Sequence, residues 1–266
     1  MIDSHCHLNF DILQKNFTEI INNAKKNNIT CILSINTKLD EFHQHYSLIR
    51  KYKSIYISNG VHPDNISNNY IPSIDDLKKN CSNDRVIGIG ETGIDLYHSD
   101  KNLSAQVKAF ENHIQCSYET NLPLIIHQRN SENEIIDILN NYKNLTSLKV
   151  VFHCFSGSEK LRDFCIDNNY YISLSGIITF KNAENLREII RVVPQNLILL
   201  ETDSPFLTPS PFRGVKPNQP LYILYIGKYL SNFFNLSLEK FEEITNNNFY
   251  SLFTKAIRYK EILYED

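Results

Sequence analysis

Short apolar runs alternate along this chain with apolar residues spaced three and four apart, and the alternation repeats from one end to the other. The first segment, Asp3-Ser-His-Cys-His7, has the two-residue period of a strand, which turns Asp3, His5 and His7 to one side and Ser4 and Cys6 to the other. Phe17, Ile20, Ile21 and Ala24 then fall at i, i+3, i+4 and i+7, one face of a helix. Residues 29–35 predict a second strand. Leu39, Phe42, Tyr46 and Ile49 resume the helical spacing, and a third strand over 55–62 is closed by Pro63. A short helix at 74–77 leads to the fourth strand, 86–91, and Leu103, Val107, Phe110 and Ile114 mark the helix behind it. The fifth strand, 122–127, is followed by Ser131-Glu132-Asn133-Glu134. That sequence predicts a capping box, with Ile135, Ile138, Leu139 and Tyr142 lining the helix it opens. Strands six to eight are expected at 148–153, 170–174 and 197–202, with helices at 161–166 and 186–193 between them. Closing helices are expected at 222–234 and 238–253.

Eight strand-helix units in this length predict a single α/β domain over 1–266, a (β/α)₈ TIM barrel whose chemistry gathers at the C-terminal ends of the strands. An open doubly wound sheet is the competing architecture. The polar residues discriminate between the two. His5 and His7 end strand one, Glu91 ends strand four, His127 strand five, His153 strand six, and Asp203 follows strand eight. A barrel brings these ends to one mouth, whereas an open sheet strings them along an edge. A single His at a strand end is more often a satisfied core group than a ligand, and Asp203 alone reads equally as a turn cap. Ligand-type residues at five strand ends together point to a divalent-metal centre, since neutral imidazole and carboxylate are the usual protein ligands of such ions.

Composition adds limits. The 27 Lys and Arg nearly balance the 30 Asp and Glu, a net charge of −3, so no broad basic surface advertises a nucleic-acid partner and an anionic substrate must be held by local groups. The six cysteines are dispersed without a C-x-x-C pair, and the candidate metal strand begins at residue 2 without room for a signal peptide. The expectation is free thiols in a reducing cytoplasm. No apolar run has the length of a membrane span, and no feature calls for an obligate protein partner. Arg129, Arg213 and Lys216 fall on loops expected after strands five and eight, where guanidinium and ammonium groups can grip phosphate. A solvated loop charge is the plain alternative for each.

Six short motifs stand at the expected strand ends: Asp3-Ser-His-Cys-His-Leu8, Gly60-Val-His-Pro63, Gly90-Glu-Thr-Gly-Ile-Asp95, Pro123-Leu-Ile-Ile-His127, His153-Cys-Phe-Ser-Gly157 and Glu201-Thr-Asp-Ser-Pro205. Through them the chain resembles the TatD family of metal-dependent deoxyribonucleases within the amidohydrolase-like barrels. Arg213-Gly214, Asn218, Pro220 and the closing 248–253 segment extend the likeness to nearly the whole chain. The resemblance implies two divalent ions, with His5, His7 and Asp203 on one, His127 and His153 on the other, and Glu91 bridging where many barrels of this superfamily use a carboxylated lysine. Mg²⁺ is the metal usually described for the family, while the ligand set also suits Zn²⁺ or Mn²⁺. This chain departs from the family pattern at Thr92, Gln128 and Asn130, none of them a ligand position.

Hydrolysis by a water activated between two cations is the reaction implied, with Asp203 as its proton acceptor and Glu91 holding the pair. Glu201, on the strand face of Asp203, is expected either to support the ligands or to serve a purely structural role, and His62 either to reach a substrate phosphate or only to support the mouth. The expected substrate is DNA, taken exonucleolytically from single-stranded or frayed 3′ ends. Deacylation of D-aminoacyl-tRNA is the competing hydrolase activity. A non-catalytic protein on an inherited barrel would be marked by a lost ligand, and none is lost here.

Overall fold

The strands are rich in Ile, Val and Leu and largely buried on both faces, which is the composition of a parallel sheet covered by helices. In the computed structural model, which describes residues 1–259 and 261–262, eight strands form: β1 Ile2–Cys6, β2 Cys31–Ser34, β3 Ile55–Asn59, β4 Val86–Asp95, β5 Leu124–Arg129, β6 Val150–Phe152, β7 Tyr171–Leu174 and β8 Ile198–Leu200. They pair in sequence order, each parallel to the next. Just past β8 the chain meets β1: the Asp203 N–H donates to the His5 carbonyl at 2.9 Å, and the His7 N–H donates to the Ser204 carbonyl at 2.7 Å. These two bonds lace the remaining seam, and the sheet is a (β/α)₈ TIM barrel.

Among the described residues ten α-helices follow in chain order: α1 Asp11–Gln14, α2 Phe17–Lys26, α3 Phe42–Ile49, α4 Ile74–Lys78, α5 Leu103–Thr120, α6 Glu132–Asn141, α7 Glu159–Asp167, α8 Glu184–Ile190, α9 Ile223–Phe233 and α10 Leu238–Leu252. The apolar stripe expected on α2, Phe17, Ile20, Ile21 and Ala24, is the face it buries. None of the helices among the described residues is long and apolar enough to cross a membrane.

Alternate strand residues divide between two apolar clusters, as the pleat requires. Leu124 and Ile126 of β5 pack in the cluster shared with the helices, whereas Ile125 joins Leu33, Tyr56, Ile87 and Leu199 in the other. Phe249, Leu252 and Phe253 complete the second cluster, so α10 and the residue after it cover the end of the barrel where the strands begin. The opposite end is left to polar residues.

The eight predicted strands are all present, with shifted bounds. β4 runs four residues beyond Glu91, to Asp95, and β3 stops at Asn59, leaving His62 to cap a short 3₁₀ turn, Pro63–Asn65. Arg129 is the last residue of β5 rather than part of a loop. The expected capping box does not form. Ser131 Oγ instead donates to the Ile94 carbonyl of β4 at 2.5 Å, a partner from another strand that local sequence could not foresee. The α6 donors are served differently: turned with its amide oxygen toward the helix, Gln128 accepts from Ser131 N at 3.2 Å and Glu132 N at 3.3 Å.

Candidate metal centre

Two glycines let β4 and β5 approach closely enough to set the centre. At Gly93, opposite His127 in register, φ is +139° and a Cβ would lie 2.0 Å from the His127 carbonyl oxygen. At Gly90, φ is +134° and a Cβ would lie 2.5 Å from the Ile125 carbonyl oxygen. No other residue type fits either place without moving backbone. Glu91 therefore stands between two glycine-dependent contacts that fix its height in the barrel. Asp203 leaves β8 in the left-handed region, φ 54°, which Asp and Asn adopt more readily than other non-glycine residues. Its N–H bond to the His5 carbonyl keeps it beside β1 in that conformation.

Five imidazoles surround the Glu91 carboxylate, and its two oxygens face different sets. Oε1 lies 2.6 Å from His153 Nε2, 3.0 Å from His127 Nδ1 and 3.5 Å from His62 Nε2. Oε2 lies 3.4 Å from His5 Nε2 and 3.8 Å from His7 Nε2. Asp203 Oδ1 completes the second side, 3.3 Å from His7 Nε2 and 3.8 Å from His5 Nε2. The rings of His5 and His153 are stacked at 3.9 Å between centroids, so the two sides are contiguous.

Electrostatics follow from this crowding. Burial raises the Glu91 carboxyl, but His153, His62, His5 and His127 outweigh it and hold the group well below the usual carboxylate range. Burial likewise works against charge on His153, and Glu91 and Glu201 overcome it to pull that imidazole well above its ordinary value. His5, where burial and the neighbouring His153 dominate, is pushed down. Burial takes His62 down to about 4 despite Glu91. Asp203 is raised by burial and lowered by His7, His153 and His5, and the lowering wins.

A layer of acids orients the rings. Asp95 Oδ2 accepts from His127 Nε2 at 2.9 Å, on the ring edge opposite Glu91. Sequence reasoning missed this role, although Asp95 shares the face of β4 with Glu91 through the two-residue period. Glu201 is fully buried. Its Oε1 accepts from the Cys154 N–H at 2.8 Å and lies 3.4 Å from His153 Nδ1. Asp3 points elsewhere on β1, accepting from Thr202 N at 2.9 Å and Thr202 Oγ1 at 2.6 Å, which ties β1 to the end of β8. Cys6 and Cys154 lie off the centre, with Cys6 Sγ toward the Leu33 carbonyl and Cys154 Sγ 3.2 Å from Ser175 Oγ. All six cysteines are free thiols.

The centre forms the floor of a cavity of about 750 Å³ at the C-terminal ends of the strands, lined among others by His7, His62, Glu91, His127, His153 and Asp203. Arg129 is also on its wall. Its guanidinium stacks 3.5 Å above the Tyr97 ring, and one nitrogen lies 4.0 Å from Asp95. Arg213 and Lys216 are exposed on the segment after β8 and are not among the lining residues. Arg213 stacks instead 3.8 Å over Phe180. Asn218, farther along the same segment, donates to the Thr202 carbonyl at 2.8 Å and anchors the loop to the strand end.

Several buried polar atoms of the centre have no hydrogen-bond partner: His5 Nδ1 and Nε2, His7 Nδ1, and Glu91 Oε2. Burying such groups unpaired is costly, and of these atoms His5 Nε2 and Glu91 Oε2 face each other 3.4 Å apart at the centre, where a divalent ion would satisfy both. Among the described residues three combinations bring one ligand atom per residue within 4.8 Å of one another: His5, His7 and Asp203; His5, Glu91 and His153; and His62, Glu91 and His127. The donor set thus fits metal. His62 falls in the third group by distance, but its Nδ1 accepts from the Asp64 N–H at 3.1 Å, so the neutral ring carries its proton on Nε2 and presents a donor there rather than a lone pair.

Comparison with known proteins agrees with this chemistry. The family model described as TatD related DNase matches residues 2–254. The chain is 38% identical over 263 residues to the metal-dependent hydrolase BU355 of Buchnera aphidicola subsp. Acyrthosiphon pisum, covering 95% of this chain and 98% of that one. It is 34% identical over 256 residues to the metal-dependent hydrolase YcfH of Escherichia coli K12, covering 95% of each. Among solved structures, that of YJJV, a TatD homologue from Escherichia coli K12, superposes with a TM-score of 0.86 at 25% identity, covering 96% of this chain and 98% of the other.

Proposed function

The chain belongs to the TatD-related DNase family and is a metal-dependent hydrolase, and we propose that it hydrolyses DNA phosphodiesters, removing nucleotides from single-stranded or frayed ends, 3′ ends in particular. The observation that carries this reading is the Glu91 carboxylate, with Oε1 toward His153 and His127 and Oε2 toward His5 and His7, at the floor of an open cavity. A single buried carboxylate that turns one oxygen to each of two imidazole sets is suited to bridge two ions.

His5, His7 and Asp203 would hold one divalent ion, His127 and His153 the other, and Glu91 would join both. Mg²⁺ is the proposed physiological metal, and Zn²⁺ or Mn²⁺ suits the same donors. Two such ions, when bound, lower the pKa of a water between them and offset charge on the attacking and leaving oxygens of a phosphodiester. Asp203 accepts the proton of the attacking water at Oδ1, the oxygen that faces His7 and His5. Asp95 and Glu201 keep the His127 and His153 rings turned toward Glu91. Arg129, preorganised on Tyr97, takes a phosphate oxygen at the cavity wall, and the exposed Arg213 and Lys216 engage the strand farther out. His62, whose Nδ1 accepts from the Asp64 N–H at 3.1 Å, carries its proton on Nε2 beside Glu91 and offers it to the phosphate. The six free thiols suit work in a reducing cytoplasm.

Purified protein stripped of metal and reloaded separately with Mg²⁺, Mn²⁺ or Zn²⁺ is incubated with single strands labelled at the 3′ or the 5′ end. Progressive loss of the 3′ label as mononucleotide supports the reading. Rapid cutting of covalently closed single-stranded circles, which offer no end, replaces the exonuclease with an endonuclease. Hydrolysis of D-aminoacyl-tRNA without cleavage of either DNA overturns the nuclease.

A further inference from the structure

Two phenyl rings stand open to solvent on one side of the mouth. Phe10, just past β1, is 37% exposed, and Phe206, just past β8, is 49% exposed. Both line the cavity that has Glu91 at its floor. Their centroids are 5.5 Å apart at 86°, so the edge of one ring meets the face of the other. The pair leans on the metal centre itself, with the His7 ring 5.3 Å from Phe10 and 6.3 Å from Phe206. Ile12 extends the same apolar wall. An isolated exposed apolar residue needs no explanation, but an aromatic pair set against a ligand-type histidine inside a polar cavity does.

The far side of the mouth has the opposite character. With the strands in order around the barrel, β5 lies across from β1, and Arg129 at the end of β5 offers its guanidinium to the cavity. An anion-binding cation on one wall, a flat apolar surface on the other and the Glu91 cluster between them match a molecule with a phosphate at one end and a planar apolar ring at the other. A nucleotide has that shape.

We propose that Phe10 and Phe206 form a stacking shelf for the unpaired base adjoining the scissile phosphate, and that this shelf selects nucleoside-bearing, single-stranded phosphodiesters. The inference rests on the nuclease reading above and adds to it the element that recognises the substrate. An edge-to-face pair keeps ring surface available, and base-on-ring stacking is tolerant of sequence because every base has a π-face. A base still paired in a duplex is held by its partner and neighbours, so only a frayed or single-stranded end can lay one down on the shelf. Purines, with the larger face, are favoured at that position over pyrimidines.

The test compares two chromogenic diesters with one leaving group, thymidine 5′-(4-nitrophenyl phosphate) and methyl 4-nitrophenyl phosphate, together with a single-stranded oligonucleotide. The ratio of kcat/KM for the thymidine ester to that for the methyl ester should fall about tenfold in Phe206→Leu, and similarly in Phe10→Leu, the scale of one lost base stack. Cleavage of the oligonucleotide should fall in parallel while bound metal per chain stays at the wild-type value. Because Phe206 is half exposed, leucine there leaves the core untouched. A wild-type enzyme active on oligonucleotides whose ester ratio is unchanged in both variants overturns the shelf alone. A wild-type enzyme that turns over the methyl ester but neither the thymidine ester nor the oligonucleotide overturns the nuclease reading, and the shelf with it.

Discussion

His127 is held from both edges, with Nε2 2.9 Å from Asp95 Oδ2 and Nδ1 3.0 Å from Glu91 Oε1. The Asp95 contact fixes the proton on Nε2, which leaves the Nδ1 lone pair free to serve a cation beside Glu91. Asp95→Asn keeps the size of the side chain but replaces an anionic acceptor with an amide that can present its NH₂ to the ring. Metal affinity should fall by about 10- to 100-fold, with much of the turnover restored at saturating metal. Titration of the metal-free variant with Mn²⁺ measures this directly, and wild-type affinity would remove Asp95 from any orienting role.

Glu91 supplies the negative charge shared by both sides of the centre. Glu91→Gln preserves volume and leaves all five imidazoles in place around it, yet removes the one group that faces both sets. Metal content should drop well below two per chain, and hydrolysis should be lost. Elemental analysis after exhaustive dialysis checks the first point. Full occupancy with normal turnover would end the bridged two-ion reading.

How much of this arrangement could be read beforehand differs from residue to residue, for physical reasons. The strand ends and their His5, His7, Glu91, His127, His153 and Asp203 were legible because period-two alternation and short buried runs are local signals. Asp95 carried the same signal, two steps beyond Glu91 on one face, but β4 was expected to end too soon. The Ser131 hydroxyl gave a false cap because its partner, the Ile94 carbonyl, comes from another strand. Phe10 and Phe206 lie almost 200 positions apart on two loops that meet only when the seam between β8 and β1 is laced by Asp203 and Ser204. Arg213 looked equal to Arg129 from sequence alone. Only the folded loop takes it to Phe180, outside the lining of the cavity.

Asp203 differs from Glu91 in kind. Its backbone sits at φ 54°, which asparagine tolerates better than most residues, so Asp203→Asn should retain the fold. His5, His7, His127, His153 and Glu91 survive in the variant and should keep part of the metal. Loss of the proton acceptor should lower kcat by at least about 10²-fold. Measured at saturating metal, an unchanged rate would remove Asp203 from the chemistry and leave it only a ligand.

The last prediction concerns the segment that presents His62. His113 on α5 is fully buried, its Nδ1 2.7 Å from the Ala109 carbonyl and its Nε2 accepting from the Val61 N–H at 3.0 Å. Only the neutral ring can donate at one nitrogen and accept at the other. Burial, partly opposed by the Ala109 contact, takes His113 down to about 4. Because the folded value lies below the unfolded one, the unfolded chain gains the proton first as pH falls, and stability is lost between the two values. From about pH 7.5 to about pH 5 this single group should cost about 2 kcal/mol. His45, buried and taken down to about 3, acts in the same sense, whereas His127 and His153, raised in the fold, act in the opposite one. Total acid lability therefore mixes signs, and the comparison that isolates His113 is wild type against His113→Gln in metal-free protein. Glutamine can accept from Val61 and donate to Ala109 without titrating. In urea unfolding, wild type should lose about 2 kcal/mol more than the variant across that window. A gap between the two that stays constant with pH would mean that His113 is not held neutral, and that the His62 segment is fastened to α5 by other contacts.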